Sequence, residues 1–223
     1  TVPAAQLVPT PGNLTAVQAG SVAIAATTAL QGLRDHGGVE SGDRVLIVGA
    51  SGGVGTFAVQ IAKAMGAHVT GVCSGRNTEL VRDLGADEVI DYTREDFWQR
   101  DEQWDVALHV AGRRSARDTL RALTADGTLV LIGGGDGARG RIIGKLGFLI
   151  RMNVAGLMSS RTVASFTAKE TREDLLALNE LFVSGAVTPV VERTYPLDEA
   201  AQALRHVADG RTRGKVVVTL PVG

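Results

Sequence analysis

One cysteine, Cys73, stands in a chain of 223 residues. That excludes an intrachain disulfide and a cysteine zinc cluster built from this chain. No charge sign dominates. The formal net charge is −1, which argues against a nucleic-acid or anionic-membrane partner, since both demand a basic surface. No apolar run approaches the roughly 18–20 residues that span a bilayer, and no signal-peptide pattern is present. Together with the cysteine usage, these absences predict a cytoplasmic protein. A Tyr-x-x-x-Lys pair is also missing. Tyr92 and Tyr195 are followed four places on by Asp96 and Glu199, which excludes the chemistry of short-chain reductases.

What is present is an ordinary globular composition, 44% hydrophobic and 21% charged, with ample glycine. The 28 glycines concentrate at Gly49–Gly55 and Gly133–Gly140. Strand and helix patterns alternate. A helix is predicted over 16–36, and the continuous apolar run RVLIVG (Arg44–Gly49) reads as a strand covered on both faces. A helix over 56–65, a strand over 68–73, a helix over 78–84 and a strand over 88–92 follow. Then come a strand over 104–110, a helix over 114–123, a strand over 128–132, a helix over 142–151 and a sixth strand over 153–157. Such alternation predicts an α/β fold, a Rossmann-type doubly wound parallel six-stranded sheet, with strand order 3-2-1-4-5-6 as the leading choice.

Between the first strand and the next helix lies Ala50-x-Gly52-x-x-Gly55. This is the dinucleotide fingerprint with alanine in the first glycine place. Gly52 lets the backbone approach a pyrophosphate, and Gly55 lets the helix pack on the strand. The helix N-terminus faces the anion. Isolated, the motif is weak; here it follows a strand and opens a helix, as the chemistry requires. The second strand ends at Cys73-Ser74, with Arg76 close behind and no carboxylate for ribose hydroxyls. A hydroxyl and a guanidinium suit a 2′-phosphate, so the cofactor predicted is NADPH (NADP) rather than NADH. The competing reading of Arg76 is a solvated surface arginine.

Several longer segments carry a family resemblance: "VLIVGASGGVGTFAVQIAKAMGAHVTGVCSGRN", "LGADEVIDYT", "WDVALHVAG", "LRALTADGTLVLIGGG" and "GAVTPVVERTYPLDEAAQALRHVADGRTRGKVVVTL". In order and content the chain resembles the zinc-free medium-chain dehydrogenase/reductases, closest to quinone oxidoreductases of the zeta-crystallin and reticulon-4-interacting-protein type. The resemblance implies NADPH-dependent, zinc-independent hydride transfer to a quinone or an activated enone or carbonyl, with no metal and a homodimeric assembly. It implies that Thr28 lies near the nicotinamide end, and that Ser51, Gly52, Gly53, Val54 and Gly55 form the pyrophosphate turn. Ser74, Arg76 and Tyr92 would receive the adenosine 2′-phosphate. Val110 and Gly112, with Gly133 and Gly134, would sit beside the nicotinamide.

No residue takes a catalytic role: no acid/base pair or nucleophile stands out, which suits chemistry done by the cofactor itself. His109 stands where the family often has Asp and reads as a packing residue or a pocket acid. Phe166 reads as packing or as a wall of the substrate side, and Trp104 as core. The resemblance further implies three parts. Residues 1–15 would close an N-terminal, GroES-like catalytic domain, 16–165 would bind the cofactor, and 166–223 would return to the catalytic domain. The absent methionine at Thr1 leads to the expectation that a domain precedes this chain. A different class also fits the fold, an NADPH-binding sensor or interaction module without turnover.

Overall fold

The computed structural model describes residues 7–110, 116–132 and 160–220. Gly112, Gly133 and Gly134, the helix expected over 142–151 and the strand expected over 153–157 lie outside them.

Six parallel strands form one sheet: β1 (Arg44–Val48), β2 (His68–Cys73), β3 (Glu88–Asp91), β4 (Trp104–His109), β5 (Leu123–Leu131) and β6 (Thr162–Ser165). Their order is 3-2-1-4-5-6, as the alternation predicts. Apolar side chains leave each strand on both faces, so the sheet separates two cores. Val45 and Ile47 of β1 join Val106 and Leu108 of β4 in the first. Leu46 and Val48 join Trp104, Leu129 and Leu131 in the second. The first core is covered by α2 (Ala23–Gln31), α3 (Gly55–Ala64) and residue Val81 of α4 (Thr78–Asp83). The second takes Phe97 and, from α5 (Ala116–Arg121), Leu120.

Three elements differ from the sequence reading. The single helix over 16–36 is broken into α1 (Ala16–Gly20), α2 and a π-helical turn, Gly32–Gly37. Gly20 and Ser21 interrupt the first break. At the second, a Cβ on Gly32 would come within 2.9 Å of Leu108 Cδ1, so the bare backbone lets the helix press on β4. Strand β5 begins at Leu123, before Asp126-Gly127, which look like a turn. A register shift between Trp104 and Val106 admits the extra residues, pairing Leu123 with Trp104. The sixth strand is Thr162–Ser165, paired with Thr128–Leu131.

Beyond the sheet, α6 (Arg172–Val183) buries Leu178 and Phe182 in the first core, roughly 1.5–3 kcal/mol apiece. Its first turn carries Asp174, which is 3% exposed. Gln31 Nε2 and Arg34 donate to that carboxylate at 2.7 Å, and Thr171 Oγ1 at 2.8 Å. Burial opposes ionisation, but these donors outweigh it and hold the carboxyl below its ordinary pKa. Last, β7 (Val191–Pro196), α7 (Ala200–Ala208) and β8 (Lys215–Thr219) make a parallel two-stranded unit with a helical crossover.

Candidate functional site

The glycine turn is tied to the sheet before it meets any ligand. The N–H groups of Gly49 and Ala50 both donate to the Val72 carbonyl at 3.0 Å. Gly49, at φ 91°, supplies the left-handed bend, so the alanine at the first motif position costs nothing: Ala50 is fully buried and points into the core. Gly52 N–H then returns to Gly49 C=O at 3.0 Å.

The other two glycines of the motif do different work. A Cβ on Gly55 would overlap the Gly49 carbonyl oxygen and stand 2.8 Å from Ala50 Cα, so this glycine lets α3 close on β1. Among the described residues, a Cβ on Gly52 would meet only Gly49 O, at 3.4 Å, so nothing described there obstructs the approach of a ligand. Val54 caps α3 without a side-chain hydrogen bond; the Thr56 N–H is already on Gly52 C=O at 3.0 Å, so the helix start offers an anion chiefly its positive end.

A second edge forms where β2 and β3 end. The N–H of Tyr92 donates to Cys73 C=O at 3.1 Å, which brings the Tyr92 backbone to the end of β2, while its half-exposed side chain lines a depression with Thr93, Arg94 and Arg100. Arg76 is exposed, and its guanidinium donates to Arg211 C=O at 2.7 Å. The Gly75 amide bonds to Asp91, whose carboxylate also accepts from Thr93. Burial works against the Asp91 anion, and these bonds keep its pKa below the ordinary value all the same. The carboxylate that comes nearest the predicted 2′-phosphate edge is thus already engaged.

Sequence reasoning missed the loop between α7 and β8. Gly214 N–H donates to Ser51 C=O at 2.9 Å. A Cβ on Gly53 would meet Lys215 Cδ at 3.1 Å and lie 3.6 Å from its Nζ. Burial lowers the Lys215 pKa, and an anion there would favour the charged form. Arg213 donates to Arg76 C=O at 3.2 Å. The only available signal was the RTRGK cluster of cations, with nothing local to say where it folds. Asn77 was missed too: its Nδ2 lies 2.9 Å from Ser51 Oγ and 3.3 Å from Ser74 Oγ.

Thr28 is buried in α2, and its hydroxyl is spent on Ile24 C=O at 2.5 Å. Val110 sits at the end of β4, its N–H on Val48 C=O at 3.0 Å, beside the exit from β1. His109 is buried, with Nδ1 3.1 Å from Thr119 Oγ1, a packed arrangement. Phe166 stacks on His36 at 4.1 Å and packs on the first core. Trp104 is core, its indole N–H on Thr70 Oγ1 at 3.0 Å.

Among the described residues no group of three or more His, Cys, Asp or Glu converges for a metal ion. Cys73 is buried, and burial together with Asp91, against the pull of Arg82, pushes its thiol up to about 11.

The family described as zinc-binding dehydrogenase matches residues 84–218. The chain belongs to that family. A mouse protein, the mitochondrial NAD(P)H oxidoreductase RTN4IP1, is 36% identical over 238 residues, which cover 94% of this chain and 57% of the mouse protein. The chain thus spans little more than half the length of this relative. Among solved structures, a quinone oxidoreductase from Coxiella burnetii superposes with a TM-score of 0.80 at 27% identity, covering 94% of this chain and 62% of that one. The 2-octenoyl-CoA carboxylase reductase CinF, solved with NADP and 2-octenoyl-CoA, gives 0.78 at 29% identity, covering 97% and 52%. One expectation is corrected here. The mouse relative and its cattle and human counterparts are named as mitochondrial, so the prediction of a cytoplasmic protein does not stand. Low cysteine content is compatible with a reducing environment and does not say which compartment holds the protein. No described helix is long and apolar enough to cross a membrane.

Proposed function

We propose that this chain binds NADP(H) and serves an oxidoreductase that passes hydride to a quinone or an activated enone or carbonyl without zinc. The observation that carries the reading is the pairing of an open Gly52 with a closed Gly55 on one turn, edged by Ser51, Ser74 and Arg76. The residues fit the cofactor. The Gly52 face and the positive end of α3 suit the pyrophosphate, Lys215 supplies a cation above Gly53, and Ser74 and Arg76 suit the 2′-phosphate. Bound there, NADPH would supply the hydride; the chain's part is to grip, orient and shield it. The names of the mouse relative and the CinF structure support NADP(H), and that of the Coxiella structure supports a quinone acceptor.

The division into residues 1–15, 16–165 and 166–223 belongs to the same proposal, as does homodimer formation. The outer edge of β6 and exposed apolar side chains such as Leu204 and Leu220, 72% and 70% exposed, supply surface for association. Light scattering across a concentration series tests that; a monomer throughout counts against it. The main test is titration with NADPH and NADH, then loss of NADPH absorbance with a simple quinone. NADPH should bind more tightly than NADH. Failure to bind either overturns the reading.

A further inference from the structure

Asn77 stands at the N-cap of α4, where asparagine ordinarily uses its side chain to cap the helix. Here it makes no side-chain cap bond. Its amide turns back instead, Nδ2 reaching Ser51 Oγ at 2.9 Å and Ser74 Oγ at 3.3 Å. The residue is 4% exposed, and its Oδ1 is buried with no hydrogen-bond partner among the described residues. Its own N–H, on Ser74 C=O at 2.8 Å, locks the turn.

This arrangement gives up a cap and strands a buried carbonyl, two unfavourable choices. What it gains is control over two hydroxyls. Each accepts from the same NH2 group, so each keeps its own proton to donate. Ser51 lies on the glycine turn and Ser74 at the end of β2, two residues before Arg76. One amide therefore sets both serines to face anions as donors, at two separate points of one site.

Resting on the NADP(H) reading, we propose that Asn77 is the positioning residue for cofactor specificity. It holds Ser51 and Ser74 as donors to the phosphates of an adenine dinucleotide phosphate. Aspartate at this place would reverse the arrangement. Both serines would donate into its carboxylate, and a negative charge would stand beside the 2′-phosphate edge. Because the two serine hydroxyls can both donate to that carboxylate, Asn77→Asp is expected to fold, and its melting curve checks this directly.

The test titrates NADPH and NADH against wild type, Asn77→Asp, Asn77→Ala, Ser74→Ala and the Asn77→Ala/Ser74→Ala double variant, with melting curves of each ligand-free protein. Asn77→Asp should lose about tenfold or more in NADPH affinity and much less for NADH, so the preference falls with little change in melting. Asn77→Ala and Ser74→Ala should each weaken NADPH, with losses in the double variant well short of their product, because one acts through the other. A folded Asn77→Asp protein with the wild-type preference overturns the proposal, as do multiplicative losses. Wild-type protein that binds neither dinucleotide overturns the NADP(H) reading itself, a distinct result. If Asn77→Ala fails to fold, the Asn77→Asp comparison still decides.

Discussion

Arg76 and Arg211 are joined by a 2.7 Å hydrogen bond from the Arg76 guanidinium to the Arg211 carbonyl, and Arg213 reaches back to the Arg76 carbonyl. A cation on the rim of the β2 turn is thereby held by a loop more than a hundred residues further along. Arg76 is thus not merely a freely solvated arginine, since one of its donors has a partner before any ligand arrives.

Replacing it should therefore show in binding rather than in folding. Arg76→Ala is expected to weaken NADPH by about 1.5–3 kcal/mol, roughly tenfold or more, while NADH changes little. Calorimetric titration of both cofactors checks this, and an unchanged preference removes Arg76 from the 2′-phosphate site.

Lys215 gives the contrasting signature. Its ammonium lies over Gly53, so Lys215→Met should weaken NADPH and NADH alike, by about tenfold, as loss of a charge-assisted contact to a shared phosphate would. A change confined to NADPH would move Lys215 to the other end of the cofactor.

The two motif glycines should separate fold from function. Gly52→Val faces open space and should keep its melting temperature while losing dinucleotide binding. Gly55→Ala meets the backbone of Gly49 and Ala50 and should lose about 2–3 kcal/mol of stability or more. Denaturant titration of the pair checks the contrast. Equal destabilisation would mean that Gly52 is also a packing glycine.

Asp174 makes stability depend on acidity. Its folded pKa lies below its unfolded one, because its three donors outweigh burial. The stabilisation is full above the unfolded value of about 3.9 and is lost as pH falls through the folded value. Melting curves of wild type should fall more steeply below about pH 4 than those of Asp174→Asn. Near neutrality, Asp174→Ala should cost about 2–3 kcal/mol, the half-exposed Arg34 keeping the loss below that of a fully buried pair. Parallel acid profiles for wild type and Asp174→Asn would assign the titration elsewhere.

How much of this could be read from residues alone depends on range. Strand order followed from alternating local patterns, and the turn from the spacing of Gly52 and Gly55, since both are short-range signals. The first helix was read as unbroken because Gly32 looks like a weak helix residue until Leu108 is seen against it. Asp126-Gly127 look like a turn and lie inside β5 because a register shift next to Trp104 accommodates them. Asn77 drew no reading beside the helix expected over 78–84, since its bonds to Ser51 and Ser74 depend on how the turn folds back. Arg213 and Lys215 carried no local cue at all, since their place over Gly53 depends on the crossover through α7.

The bond from Gly214 N–H to Ser51 C=O has a consequence in time. During synthesis β1, α3 and β2 emerge long before residue 214, and a nascent chain has the floor of the cradle without its roof. On the proposed reading, full affinity for a dinucleotide requires β8 to have emerged and docked. A ligand that favoured the docked state would then shield this later segment from proteases by mass action.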